Sequence, residues 1–205
     1  MADENIIPKK LGNVPRNLAT EFDQTGLERR TKKSMDWFRK KATRMRRINR
    51  TELFNQEQIL LKNRTIMGSM FMWAYDPKHK KTLPYYDSFP LGIIVDRVPG
   101  GFRALNLHYL PPLLRGQFLL NLNYLTNNKK YDDTTRYQLT YSMLKKSVSM
   151  RYFQPCFKHY LTKHVRSRFG LIPADEWEIV SFLPLADWQK ASGQQVYADS
   201  RKLIK

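Results

Sequence analysis

The chain has 205 residues and a formal charge of +18, from 36 basic and 18 acidic side chains. Its length fits one domain with a substantial core, and 41% hydrophobic with 13% aromatic residues exclude wholesale disorder. The charge excess requires an acidic partner, which we expect to be nucleic acid first, an acidic protein surface second and an anionic membrane third.

The same sequence restricts where the protein works. A single cysteine, Cys156, excludes an intrachain disulfide. The first twenty residues lack the apolar core of a signal peptide, and no apolar run approaches the roughly 18 residues of a spanning helix. We therefore expect a protein made in a reducing cytoplasm, soluble or part of an assembly, without a membrane partner.

Residues 1–33 are predicted to form an extended basic arm. Pro8, Gly12, Pro15 and Gly26 interrupt any helical periodicity, and few large apolar residues are available for burial. Two interpretations remain open: a disordered tail, and an arm that becomes ordered on a neighbouring subunit or on nucleic acid.

The next segment, residues 34–65, begins with a predicted amphipathic helix over residues 34–48. Ser34 fits the N-cap, and Asp36 lies in the first turn, where the helix dipole favours an anion. The apolar residues recur at steps of three and four and form one stripe: Trp37, Phe38, Ala42, Met45 and Ile48.

Basic residues cover the rest of this helix and the segment before it. From Glu28 to Arg50 there are eleven basic residues and two acids, a net charge of +9. Because a solvated face normally mixes both signs, we predict contact with phosphates or with an acidic protein surface. The predicted contact residues are Arg29, Arg30, Lys32, Lys33, Arg39, Lys40, Lys41, Arg44, Arg46, Arg47 and Arg50.

Three strands are predicted in the middle of the chain. The apolar run 66–75 fits a buried strand, and the segments 89–98 and 102–109 flank a Pro-Gly-Gly turn signal at 99–101, so they form a β-hairpin. We expect a small, strongly bent, barrel-like antiparallel sheet.

The predicted loop between the first two strands carries aromatic and basic residues together. Tyr85 and Tyr86 follow Lys80 and Lys81 closely, a pattern that can stack on nucleic-acid bases. The same tyrosines fit the core and rim of the sheet equally well, and both interpretations remain open.

Helices are predicted to dominate after Pro111. The resulting fold class is α+β, a single domain over residues 66–205, with a sheet at 66–110 followed by C-terminal helices at 111–205. The N-terminal arm and the basic helix are expected to reach outward from this body. The helices are predicted from Pro112 to about Leu125, over 134–148, over 155–165, from Pro173 onward, and over 196–204.

A second basic cluster lies in these C-terminal helices. Residues 145–168 contain no acid. On two helices facing one way, such a cluster would bind phosphates without reading sequence, since phosphate contacts position a protein but do not specify bases. No helix-turn-helix, zinc-finger or RNA-recognition signature is present. The predicted contact residues are Lys145, Lys146, Arg151, Lys158, Lys163, Arg166 and Arg168.

No catalytic, cofactor or metal site is predicted. His159 and His164 are five residues apart and do not share one helical face, and no glycine-rich phosphate loop is present. Cys156 is predicted to be a buried thiol in a helix and not a nucleophile with His159 as its base. Likewise, His108 is predicted to bind a local carbonyl where the hairpin passes into the next helix.

A nuclease is the lesser hypothesis. Asp76, Asp87 and Asp96 lie near the hairpin, but the Glu-x-Lys element that would complete a two-metal site is missing. We therefore expect no enzyme.

Two blocks of sequence carry a resemblance to a known family. The first comprises residues 75–78 (YDPK), 83–91 (LPYYDSFPL) and 101–111 (GFRALNLHYLP); the second comprises 134–141, 153–158 (FQPCFK), 165–167, 176–177 and 182–184. Over roughly residues 66–205 the chain resembles structural proteins of large contractile-tailed phages of the T-even type, in the DNA end protector or head-completion family.

This resemblance implies a non-enzymatic virion protein that binds the end of packaged double-stranded DNA near the portal and neck. It also implies several copies in a symmetric assembly formed in the host cytoplasm, with the folded body blocking host exonucleases. The alternative is a tail or baseplate protein whose basic arm laces onto acidic neighbouring subunits, because the charges alone indicate either nucleic acid or an acidic surface.

Overall fold

The computed structural model describes residues 14–28, 31–44, 67–126, 133–172 and 177–204. Within these ranges the helices are α1 (Val14–Asp23), α2 (Lys32–Arg44), α3 (Pro112–Thr126), α4 (Asp133–Ser149), α5 (Trp177–Phe182) and α6 (Gly193–Ile204). The strands are β1 (Met70–Met72), β2 (Tyr86–Asp87), β3 (Leu91–Val98), β4 (Gly101–Asn106), β5 (Phe157–Leu161), β6 (Gly170–Ile172) and β7 (Trp188–Gln189). Three 3₁₀ turns span Leu107–Tyr109, Arg151–Cys156 and Thr162–His164.

The main sheet is antiparallel, with strand order β5-β4-β3-β1-β6, and β2 pairs with β7 in a separate two-stranded ladder. The predicted hairpin is confirmed as β3 and β4, where Val98 pairs with Gly101 across a turn whose Gly100 has a φ of 75°. Among the described residues the order ends in two edge strands, β5 and β6, so the sheet that they form is open and is not a closed barrel.

Both faces of this sheet are buried. On one face Ile93 and Leu105 join the main core, which α3, α5 and α6 cover. The other face carries an aromatic cluster that includes Trp73, Phe102 and Tyr160, whose ring centroids lie 5.0–5.5 Å apart. Burial on both sides explains why β3 reads as a nearly continuous apolar run and not as an alternating one.

The predicted α+β class is confirmed: an antiparallel sheet is followed by helices. The helices predicted from Pro112, over 134–148 and over 196–204 correspond to α3, α4 and α6. The helix expected from Pro173 is present as α5 (Trp177–Phe182), and residues 173–176 lie outside the described residues.

The helix predicted over 155–165 is wrong. The chain there forms a 3₁₀ turn ending at Cys156, then β5, then a second 3₁₀ turn. Phe157 and Tyr160 have high β propensity, and the free edge of β4 supplies a full ladder from Gly101 opposite Leu161 to Leu105 opposite Phe157. Pairing along that edge outweighs the local helical pattern, which short apolar segments carry ambiguously.

The N-terminal region also differs from its prediction. Helix α1 lies inside the predicted extended arm, and its Phe22 stacks on Phe38 of α2 at 4.7 Å between centroids. Both rings are buried in the main core, so α1 and α2 lie against the body and do not reach outward. Pro15 lies in the first turn of α1, where proline is tolerated, and Gly26 lies after its end, so neither interrupts the helix. Burial of the two large rings stabilises its packing on the body.

The predicted N-cap of α2 is three residues too late. Thr31 and Ser34 exchange hydrogen bonds, Thr31 N–H to Ser34 Oγ at 2.9 Å and Ser34 N–H to Thr31 Oγ1 at 3.1 Å, so Thr31 is the capping residue. Ser34 is fully buried and donates to Glu178 Oε1 of α5 at 2.6 Å. Its hydroxyl therefore ties α2 to α5 in addition to closing the helix start.

We predict that Gly101→Ala destabilises the fold strongly. A Cβ atom at Gly101 would lie 2.0 Å from the Tyr160 carbonyl oxygen, so β4 and β5 would have to separate. The expected loss of unfolding free energy in urea is about 3 kcal/mol, at the upper end for overpacking. Gly193→Ala is the matched control, because its Cβ would meet Trp188 at an ordinary 3.5 Å. Equal urea midpoints for the two variants would contradict the β4–β5 contact.

Candidate nucleic-acid interface

Helix α2 presents basic residues to solvent along the face opposite its buried rings. Lys32, Lys33 and Lys40 are exposed and have no ion pair within the described part of the chain. Arg39 pairs with Asp36 at 3.3 Å, and Lys41 pairs with Glu21 while lying over the Trp37 ring. Arg44 is the last residue of α2, and the predicted contacts Arg29, Arg30, Arg46, Arg47 and Arg50 lie outside the described residues.

The second basic cluster does not lie on two helices as predicted. It is spread over the end of α4 (Lys145, Lys146), two 3₁₀ turns (Arg151, Lys163), strand β5 (Lys158) and the connection to β6 (Arg166, Arg168). All except Lys158 are exposed. The edge strand β5 and the segments around it therefore carry this charge, because the chain pairs with β4 where a helix was expected.

The connection after β5 runs beside the start of the loop at residues 76–85. Tyr75 and Val165 form an antiparallel bridge, and the Asp76 N–H donates to the His164 carbonyl at 3.0 Å. Asp76 also contacts Lys80 at 2.9 Å and Arg166 at 3.6 Å, and the hydrogen bond from Lys80 is the main reason that the pKa of Asp76 is lowered. The basic residues of the loop and of the connection thus lie side by side.

A concave site lies between this loop and β5. We call it the tyrosine pocket: a cavity of about 460 Å³ lined by Tyr75, Pro77, Lys78, His79, Leu83, Pro84, Tyr85, Tyr86, Asp87, Tyr109, Lys158, His159, Tyr160 and Leu161. The half-buried Lys158 ammonium lies 4.0 Å from the centroid of the Tyr109 ring. Burial lowers the pKa of Lys158, while nearby Cys156 acts in the opposite direction.

A buried carboxylate, Asp87, organises the inner wall of the tyrosine pocket. Its Oδ1 accepts the N–H groups of Phe89 at 3.0 Å and Asp187 at 3.1 Å. Its Oδ2 accepts Asn106 Nδ2 at 3.2 Å and lies 2.7 Å from His108 Nδ1, which must donate because a carboxylate only accepts. Because each carboxylate oxygen already accepts two hydrogen bonds, Asp87 has a structural role and is not available to bind a catalytic metal. His108 therefore pairs with a carboxylate, where a local carbonyl was predicted.

The same network fixes two pocket tyrosines. Asn106 uses its second amide proton to donate to the Tyr160 hydroxyl at 3.0 Å, and the Tyr75 hydroxyl accepts the Leu161 N–H at 3.1 Å. The Tyr75 and Tyr160 rings meet edge to face at 4.9 Å. These rings are therefore held in place by the fold before any ligand arrives.

Lys190 holds the loop that forms the outer wall. Its ammonium donates to the carbonyls of Lys80 at 2.6 Å, Lys81 at 3.0 Å and Leu83 at 3.0 Å. Sequence reasoning missed this residue, because Lys190 is more than a hundred positions from the loop and nothing in its local sequence distinguishes it. Its φ of 69°, unusual for a residue other than glycine, accompanies this position directly after β7.

The two tyrosines predicted to stack on bases occupy different positions. Tyr85 is half-buried and packs against Tyr109 and Trp188, each at 6.3 Å between centroids. Tyr86 is half-buried in β2 opposite Gln189. Both line the tyrosine pocket, so the core-and-rim interpretation describes their packing and the stacking on bases stays a prediction.

The described residues contain no group of three or more His, Cys, Asp or Glu side chains that could hold a metal ion. Cys156 is buried in a 3₁₀ turn, and burial raises the pKa of its thiol to about 12, which keeps it protonated and unreactive at neutral pH. In the part of the chain that the structure covers, no helix has the length and apolar character needed to cross a membrane.

We predict that Asp87→Asn lowers the free energy of unfolding at pH 7 by about 3 to 5 kcal/mol, because an amide would turn a donor towards groups that themselves donate. Burial would raise the pKa of Asp87, but His108 and the hydrogen bonds outweigh it and hold the pKa below its ordinary 3.8. The stabilisation by the ionised Asp87 carboxylate is therefore fully present above pH 3.8, the ordinary pKa of the group. It is lost as the pH falls through the lower pKa that Asp87 has in the folded protein.

Urea unfolding of the unaltered protein and of Asp87→Asn between pH 7 and pH 2 measures this effect. The difference between their free energies of unfolding should become smaller below pH 3.8. Asp96→Asn is the control, since Asp96 is partly exposed and lies 3.8 Å from Arg103 at the surface. The role assigned to Asp87 would be contradicted by either of two results. One is a difference in unfolding free energy between Asp87→Asn and the unaltered protein that does not change with pH. The other is an equal loss of unfolding free energy in Asp87→Asn and Asp96→Asn.

Comparison with known proteins gives one family. The family model described as "Phage T4 terminal DNA protecting protein" matches residues 13–204, nearly the whole chain. No curated protein and no solved structure matches the chain. The resemblance to T-even phage end protectors inferred from the sequence is thus confirmed. The family match also includes the N-terminal helices, which lie before the residues 66–205 that carried the resemblance. The chain belongs to the phage T4 terminal DNA protecting protein family.

Proposed function

We propose that this chain is a non-enzymatic virion protein that binds the end of packaged double-stranded DNA near the portal and neck of the phage. It holds the DNA through phosphate contacts and blocks exonucleases with its folded body. The observation that carries this proposal is the family match over residues 13–204, together with a net charge of +18.

The exposed lysines of α2 support phosphate binding. Lys32, Lys33 and Lys40 have no acidic partner among the described residues, so their charges are available to a polyanion. Lysine and arginine contacts to phosphates supply most sequence-independent affinity, through release of counterions from DNA. Binding of this kind suits a protein that must accept an end whatever its sequence.

The hydrogen bonds of the buried carboxylate at this site support a structural role for the protein. The carboxylate of Asp87, which lies nearest the tyrosine pocket, is occupied by four hydrogen bonds. Its geometry leaves no open position for a metal-bound water. Blocking of an exonuclease then follows from steric cover of the terminus, which requires tight binding and no bond cleavage.

Duplex binding across a salt series tests the proposal. We expect the full chain to bind a blunt linear duplex more tightly than a closed circular duplex of the same sequence, and to slow exonuclease digestion of the linear form. With six to ten phosphate contacts, affinity should fall by roughly three to five decades between about 50 and 200 mM salt.

The variant Lys32→Ala/Lys33→Ala should reduce the magnitude of the salt slope by about two, one for each lost phosphate contact. Arg201→Ala/Lys202→Ala is the matched control, since it removes two adjacent exposed charges from the last turn of α6. Weak binding with no preference for ends would reject DNA end protection. That result would favour a tail or baseplate protein whose basic residues contact acidic neighbouring subunits.

A further inference from the structure

The tyrosine pocket has features that non-specific phosphate binding along a duplex does not require. A duplex offers phosphates on a convex surface, whereas this site is concave, about 460 Å³ in volume and walled by five tyrosines. Pockets of roughly 300–1,000 Å³ take ligands of about the size of one nucleotide. Its shape therefore fits a single nucleotide that has left the duplex, and it does not fit the duplex itself.

The charge around the pocket favours an anion. The segments 75–87 and 157–166, which form its two main walls, carry two lysines that line the pocket (Lys78 and Lys158) and four basic residues that do not (Lys80, Lys81, Lys163 and Arg166), against two acids. Both acids are already engaged: Asp76 by Lys80 and Arg166, and Asp87 by its four hydrogen bonds. The unbalanced charges facing a ligand are therefore positive.

Lys158 is the strongest indication that the pocket binds an anion. Its ammonium is half-buried, and no carboxylate lies within ion-pair distance among the described residues. Its observed partner is the face of Tyr109, at 4.0 Å from the ring centroid. A buried cation held by a ring and without a counter-charge is costly unless an anion completes the site. Lys78, which is exposed, is the second lysine that lines the pocket.

The aromatic walls favour a base as the rest of the ligand. Tyr75, Tyr109 and Tyr160 are buried and held by the hydrogen bonds and ring contacts described above, while Tyr85 and Tyr86 are half-buried. Stacking of a base on an aromatic side chain is tolerant of sequence and is worth about 1–3 kcal/mol. An acidic peptide would use the lysines but would leave the half-buried rings of Tyr85 and Tyr86 unmatched.

We propose that the tyrosine pocket receives the terminal nucleotide of a DNA strand, with its base against Tyr85 and Tyr86 and its phosphate between Lys158 and Lys78. This inference rests on the proposed function and deepens it, because it names the part of the DNA end that is recognised. It explains how a protein without sequence readout distinguishes an end from the interior: a terminal nucleotide can leave the stack at the lowest cost.

The experiment compares two duplexes of one sequence: a blunt linear duplex with 2-aminopurine as the terminal base, and a dumbbell closed at both ends by hairpin loops. The full chain should bind the linear duplex more tightly and change the 2-aminopurine emission. Lys158→Met and Lys78→Met should each reduce the ratio of linear to dumbbell affinity by roughly tenfold, the effect of one lost charge-assisted hydrogen bond. Their affinity for the dumbbell should fall less than their affinity for the linear duplex, and a urea midpoint equal to that of the unaltered protein shows that they are folded.

Lys81→Met is the matched control, because Lys81 is an exposed lysine of the same loop that does not line the pocket; its end preference should equal that of the unaltered protein. A linear duplex without a 5′-phosphate shows whether the bound group is that phosphate or the first phosphodiester. End preference that persists in both pocket variants, or an unchanged 2-aminopurine signal, overturns the pocket and leaves end protection standing. Equal affinity of the unaltered protein for linear and dumbbell DNA overturns both.

Discussion

The buried carboxylate of Asp87 is the constraint on which the candidate site depends. Through four hydrogen bonds it joins its own short strand, the segment before β7, the end of β4 and the 3₁₀ turn that contains His108. Asn106 extends the network to Tyr160 of β5. A charge in such a place is tolerated only when all its lone pairs are satisfied, so the network fixes the relative positions of these segments.

The sheet edge and the network together create the tyrosine pocket. Because β5 pairs along β4, Lys158 lies opposite Ala104, two residues before Asn106 in β4. The 3₁₀ turn after β4 brings the Tyr109 ring to the Lys158 ammonium. On the other side Lys190 holds the loop through three carbonyls. The pocket is therefore built from segments distant in sequence, each held by a different part of the fold.

The two kinds of basic surface have different structural origins. The lysines of α2 are exposed because Phe22 and Phe38 hold the opposite face of the helix in the core. The charges around β5 instead follow an edge strand, where lysine is well suited because it discourages further strand pairing. Both surfaces suit a polyanion, and the second adjoins the tyrosine pocket.

Those parts of this protein that depend on local pattern can be predicted from the amino-acid sequence. The β3–β4 hairpin follows from a β-branched run and a Pro-Gly turn, α3 and α4 follow from proline and polar caps with apolar periodicity, and the charge excess follows from composition. The sequence also determined the family, since motifs such as LPYYDSFPL and GFRALNLHYLP are long and specific. Tertiary structure alone decided that residues 157–161 form a strand, because the free edge of β4 offers a ladder that no local pattern encodes. It also decided the roles of Asp87, His108 and Lys190, because hydrogen bonds between positions up to 110 residues apart have no sequence spacing to reveal them.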